Sequence, residues 1–148
     1  MAAYLSTELG GSANQTSAPT GYKPRATVYQ ARLKRLRATF TYASQTTSDT
    51  LVVGNLPAGA TFAYGVLTAD TSSGSTTLAI GIAGTTAKYK AAAAFTATDT
   101  PTLFGKAAVV GAADPALAAE EQVIVTLAAA TAPASGTLVV DLYYSMPN

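Results

Sequence analysis

Thr137-Leu138-Val139-Val140-Asp141-Leu142-Tyr143-Tyr144 is the stretch that decides the fold. Leu138, Val140, Leu142 and Tyr144 fall on one side of an extended chain, and Val139, Asp141 and Tyr143 on the other. That two-residue period is the mark of a strand with one face in a core. Its nearest counterpart lies far away in sequence. Leu36, Ala38, Phe40 and Tyr42 alternate with Arg37, Thr39 and Thr41, which predicts a second such strand. The residues just before it, Tyr29 to Arg35, suit either a strand or a short helix, because Leu33 and Leu36 share a helical spacing.

Between these two stretches the same signal recurs with turn residues in the gaps. Strands are predicted over Thr50–Val53, Ala60–Thr68, Thr76–Ile82, Thr102–Val110 and Gln122–Ala128. Asn55-Leu56-Pro57-Ala58-Gly59, Asp70-Thr71-Ser72-Ser73-Gly74-Ser75 and Ala132-Pro133-Ala134-Ser135-Gly136 supply proline, glycine and small polar residues for the turns. Two short pieces have helical features but read as connecting turns. Lys90 to Phe95 is an alanine run, and alanine is the best helix former. Asp114-Pro115 ahead of Ala116-Leu117-Ala118-Ala119-Glu120-Glu121 resembles an N-cap with proline at the first helical position. Short strands at this spacing predict a mainly-β, single-domain β-sandwich of jelly-roll type over residues 27–148. Residues 1–26 read as an extended N-terminal arm, since Gly10 to Gly21 is full of breakers and has no hydrophobic period.

Composition narrows the function. Among 148 residues there is no histidine, cysteine or tryptophan. The commonest general base, the thiol nucleophile and the commonest metal ligands are therefore missing, which points away from an enzyme, a cofactor or a metal. No phosphate-loop pattern occurs, and Gly81-Ile82-Ala83-Gly84 reads as a turn. Glu120 and Glu121 are adjacent and point apart, so they read as a solvated turn rather than a glycosidase pair. Asp49, Asp70, Asp99 and Asp114 sit among turn residues, where aspartate bonds local backbone. Asp141 is the one acid inside a strong strand. It reads as the outward face of a sheet, with an ion pair to Arg35 or Arg37 across a subunit interface as the functional alternative. Tyr143, Tyr144 and Met146 read as core, or else as an interface anchor. No apolar run approaches a membrane span, and Met1 to Thr20 lacks the pattern of a signal peptide.

Only 11% of residues are charged, against about 25% in ordinary globular chains. Their distribution is uneven. Lys23, Arg25, Arg32, Lys34, Arg35 and Arg37 face Glu8 alone in residues 1–37, while the rest of the chain is mildly acidic. Tyr22 and Tyr29 interleave with these cations. Three readings stay open for Tyr22, Lys23, Arg25, Tyr29, Arg32, Lys34, Arg35 and Arg37. Protein docking through arginine–carboxylate pairs leads. A solvated strand face comes next, and nucleic-acid binding is disfavoured by the acidic body and the lack of a nucleic-acid motif.

Asp49-Thr50-Leu51-Val52-Val53-Gly54-Asn55-Leu56-Pro57-Ala58-Gly59-Ala60 resembles the strand, leucine-proline-glycine turn and strand of tailed-bacteriophage head decoration (cement) proteins and related small virion proteins. Glu120 to Leu127, leading to Ser135-Gly136-Thr137-Leu138-Val139-Val140, is similar to their C-terminal strands. The resemblance spans residues 49–144. It implies a β-sandwich on the outer surface of a virion capsid, often a homotrimer, made in the host cytoplasm, with the major capsid protein as partner. The arm would reach across a neighbouring capsomer. Another virion component (tail, neck or fibre) and a carbohydrate-binding β-sandwich are the alternatives.

Overall fold

The computed structural model describes residues 32–105 and 115–146. The C-terminal stretch forms strand β8, Thr137–Ser145. Leu138, Val140 and Leu142 are fully buried. The expected alternation therefore holds, and it holds because β8 is flanked on both sides. Leu33–Thr41 forms β1, which pairs antiparallel with β8 from Leu33↔Ser145 to Thr41↔Thr137 without interruption. On the other side of β8 lies β3, Thr61–Ala69.

The remaining strands are β2 (Thr50–Leu56), β4 (Thr77–Ile82), β5 (Thr85–Ala94), β6 (Thr102–Phe104) and β7 (Glu121–Ala128). They form two four-stranded sheets, β1-β8-β3-β6 and β2-β7-β4-β5. Strand β1 pairs with β8, β2 with β7, β3 with β6 and β4 with β5, all antiparallel. That nested set is one long hairpin rolled up, which is the jelly-roll topology. The two sheets enclose a single apolar layer built on Leu56, Phe62, Leu67, Leu78, Ile80, Val123, Val125, Leu127, Leu138, Val140 and Leu142.

Bulges set which side chains enter that layer. Phe62 and Tyr64 would share a face in a regular strand, but the pairing of β3 with β8 shifts between them. Ala63 is the extra residue, so Phe62 turns inward and Tyr64 outward, and Gly65, Leu67 and Ala69 then face the core. Strand β2 shifts in the same way between Val52 and Gly54. Gly54, at φ +145°, lies where an added Cβ would stand 2.9 Å from Leu36 Cδ1, so β2 and β1 close the sandwich over a position only glycine fits.

Three expectations need correction. The alanine run Lys90–Phe95 is not a connecting turn: Lys90 to Ala94 belong to β5. Pairing with β4 overrides alanine's helix preference, and Ser73 anchors the strand's end by accepting the Phe95 N–H on Oγ (2.8 Å) and donating its own N–H to the Phe95 carbonyl (2.8 Å). Pro115 to Glu120 is a connection, as expected. The Leu117 N–H donates to the Ala60 carbonyl and the Leu117 carbonyl accepts from the Gly59 N–H, both at 2.8 Å, so its backbone groups are committed to the turn before β3. Glu121 is the first residue of β7, not part of a solvated turn. The strand predicted over Thr102–Val110 is regular only as far as Phe104, and Lys106 to Asp114 lie outside the described residues. The helix-or-strand ambiguity at Leu33–Arg35 resolves to strand. The predicted arm, residues 1–26, lies outside the described residues.

A candidate docking surface on the outer face of the first sheet

Of the basic segment, Arg32, Lys34, Arg35 and Arg37 fall among the described residues; Tyr22, Lys23, Arg25 and Tyr29 do not. The pleat of β1 divides them. Leu36, Ala38 and Phe40 point inward, half-buried against the core, and Arg35 and Arg37 point outward. Lys34 lies on the inward phase but at the exposed start of the strand. The basic segment is thus not one continuous stripe.

Register places Arg37 directly opposite Asp141. Arg37 Nε donates to Asp141 Oδ1 at 2.7 Å and Nη2 to Oδ2 at 2.6 Å, a bidentate pair. Arg35 Nε stands 4.0 Å from Oδ1. The Asp141 side chain is only 8% exposed, although it projects from the outer face. The Arg37 hydrogen bonds hold its carboxyl below the usual aspartate range, against the opposing effect of burial. The outward placement is as expected. The partner, however, lies within the same chain, so the ion pair closes β1 onto β8 and needs no neighbouring subunit.

Beside this pair the register builds a short grid. Arg35, Tyr143 and Tyr64 lie in one row across β1, β8 and β3; Arg37, Asp141, Val66 and Leu103 lie in the next, which reaches β6. The Tyr64 and Tyr143 rings stack with centroids 4.7 Å apart and planes at 23°. Leu103 is 71% exposed and Tyr64 36%. A shallow depression opens beside them, lined by Ala63, Tyr64, Leu103, Phe104 and Gly105. Tyrosine and arginine around an exposed leucine is the composition of a protein-interface core. Tyr143 therefore leaves the core position expected of it, while Tyr144 keeps it. Sequence reasoning missed Tyr64 and Leu103. Tyr64 is outward only because of the bulge at Ala63, which no residue type in that stretch announces.

A second polar cluster lies on the other sheet. Glu121 accepts from Lys88 and, at 2.7 Å, from the Tyr89 hydroxyl. The Tyr89 ring packs on Phe62 at 4.5 Å, and burial, then the Glu121 contact, pushes its hydroxyl pKa up. Asn55 donates to Glu120 at 2.7 Å. These bonds tie β5 and β2 to the start of β7. Asp49 bonds local backbone as expected, accepting the Thr46 N–H (2.6 Å), whereas Asp70 accepts the N–H of Thr137 (2.7 Å), 67 residues away, and so ties the loop after β3 to the start of β8; Asp114 lies outside the described residues. Among the described residues, no three of the aspartates and glutamates converge on a common metal position.

No protein-family model matches the chain, and no curated protein matches it. Two solved structures do. One is a chain of the cyanophage Pam1 capsid asymmetric unit, at 22% identity and a TM-score of 0.62, covering 92% of this chain and 96% of that one. The other is a chain of the capsid of Ralstonia phage GP4, at 18% identity and a TM-score of 0.60, covering 79% of this chain and 86% of that one. The fold is shared with both. The match runs nearly end to end in the first case, so the whole rolled hairpin is common to the two chains.

Proposed function

We propose that this chain is a structural protein of a phage virion. In this reading it binds the outer capsid surface, beside the major capsid protein, and stabilises the mature head by clamping neighbouring capsomers. The observation that carries the reading is the near full-length likeness in fold to a chain of a phage capsid asymmetric unit. The low charge, the aromatic and arginine grid on the first sheet and the basic N-terminal segment all suit a protein held by neighbours. The work is non-catalytic: clamping identical junctions gains avidity from repetition, and a chain without histidine or cysteine loses nothing by it. A homotrimer is the favoured assembly, and residues 1–26 act as the arm that reaches a neighbouring capsomer.

The test adds the purified protein to heads that lack it. The expected result is saturable binding and greater resistance to heat or low salt. Unchanged head stability at saturation would overturn the clamping role.

One observation favours a second reading. The stacked Tyr64–Tyr143 pair is an exposed aromatic platform of the kind that receives sugar rings. Glycan-array binding abolished by Tyr64→Ala, with no association with particles, would replace the capsid reading by carbohydrate binding.

A further inference from the structure

The sandwich has four edge strands, and three are blunted. Strand β6 is three residues long, β2 carries one bulge, and β5 carries two. Short edges and bulges are the usual defences against pairing with another chain. Strand β1 has neither. It runs nine residues without proline or bulge and pairs with β8 in unbroken register, so its far side presents a regular row of backbone donors and acceptors that no described strand occupies. Its inward side chains, Leu36, Ala38 and Phe40, pack against the core but stay only half-buried at that edge.

We infer that the free edge of β1 is a docking site for an extended, acidic segment of a partner protein, which adds as a ninth strand. The charges choose the occupant. Arg32, Lys34, Arg35 and Arg37 lie on or beside this edge, and the nearby acid, Asp141, is already taken by Arg37. Arg35, which stands 4.0 Å from that carboxylate, faces the incoming strand from the outer side, and Lys34 from the exposed start of the inner side. A second copy of β1 would set like charges along one ladder, which is destabilising. Among the described residues, the other edges offer no regular acidic strand in its place. A partner strand with carboxylates on its outer face and apolar residues on its inner face satisfies both rows: the carboxylates meet Arg35, and the apolar residues cover Leu36 and Phe40, with Lys34 at the exposed inward-phase start of β1 open to an acidic end of the segment. Backbone bonds then give affinity and side chains give specificity, as in other strand-addition complexes.

The inference deepens the docking role proposed above and rests on it only for where the partner comes from. The test uses the full chain and a labelled, acetylated nine-residue peptide of alternating valine and glutamate. Anisotropy should show saturable binding, and hydrogen exchange should slow within Leu33–Thr41. A valine–lysine peptide should bind at least about tenfold more weakly, as charge selection at an interface requires. A backbone N-methylated acidic peptide, which keeps the charge and loses the donors, should fail to bind. Lys34→Glu combined with Arg35→Glu should reverse the preference between the two peptides. No binding, protection elsewhere, or full binding of the N-methylated peptide would overturn the proposal. Association of the whole protein with heads is scored separately. Heads bound without peptide docking would refute edge addition alone, and peptide docking without head binding would refute the capsid reading alone.

Discussion

Gly65 carries no side chain because the Phe104 ring lies across it: an added Cβ would stand 2.1 Å from Phe104 Cζ. Gly65→Ala is expected to lower stability by about 1–3 kcal/mol through overpacking, measured by urea unfolding. Phe104→Leu in the same background should recover part of the loss; equal losses in the single and double variants would argue against the contact. Asp141 gives a second prediction at this scale. Asp141 and Asp70 are both held below the ordinary aspartate pKa, by the Arg37 side chain and the Thr137 N–H respectively. A carboxylate depressed in this way contributes stability above its unfolded value near 4, and the contribution is lost as pH falls through the folded value. Urea midpoints should therefore drop as pH falls below about 4. Asp141→Asn should flatten that drop, and an unchanged acid limb would contradict it. With no histidine in the chain, midpoints should stay nearly level between about pH 5 and 8. The sequence placed Asp141 on an outward face, but its neutralisation by Arg37 depends on a register of two strands 104 residues apart.

At the scale of elements, period-two alternation was legible wherever a strand is unbroken. Strands β1 and β8 show it plainly, since neither shifts register against the other. It fails at β3 and β2, where one extra residue moves the rest of the strand to the opposite face. The aromatic grid was hidden for that reason: it needs Tyr64 outward, beside Tyr143. The alanine run misleads differently. Its intrinsic preference is helical, and only pairing with β4 makes it a strand. Ala94 is exposed and opposite Thr77 in that pairing. Ala94→Thr should raise stability by about 0.2–1 kcal/mol, the range for a favourable cross-strand pair. In a helix the same change would cost roughly half a kcal/mol, so a clear loss in urea unfolding would contradict the strand.

Over the whole molecule, the rolled hairpin keeps the described cations away from one end, while Glu120 and Glu121 share the other end with the start of β1. Strand β1 starts there with Arg32, Lys34 and Arg35. The loops at the other end carry Asp49, Asp70 and Asp99 and, among the described residues, no cation. The sequence announced the sandwich and the basic segment. The jelly-roll type was expected from strand spacing, but which strand pairs with which was not legible, because nested pairing joins the first strand to the last and leaves no local signature. The central claim is that this molecule works on the capsid of a virion. The most direct measurement is electron cryomicroscopy of purified particles carrying the tagged protein. The account predicts density for the sandwich repeated over the outer surface of the head. Tag confined to the tail, or absent from particles altogether, would contradict it.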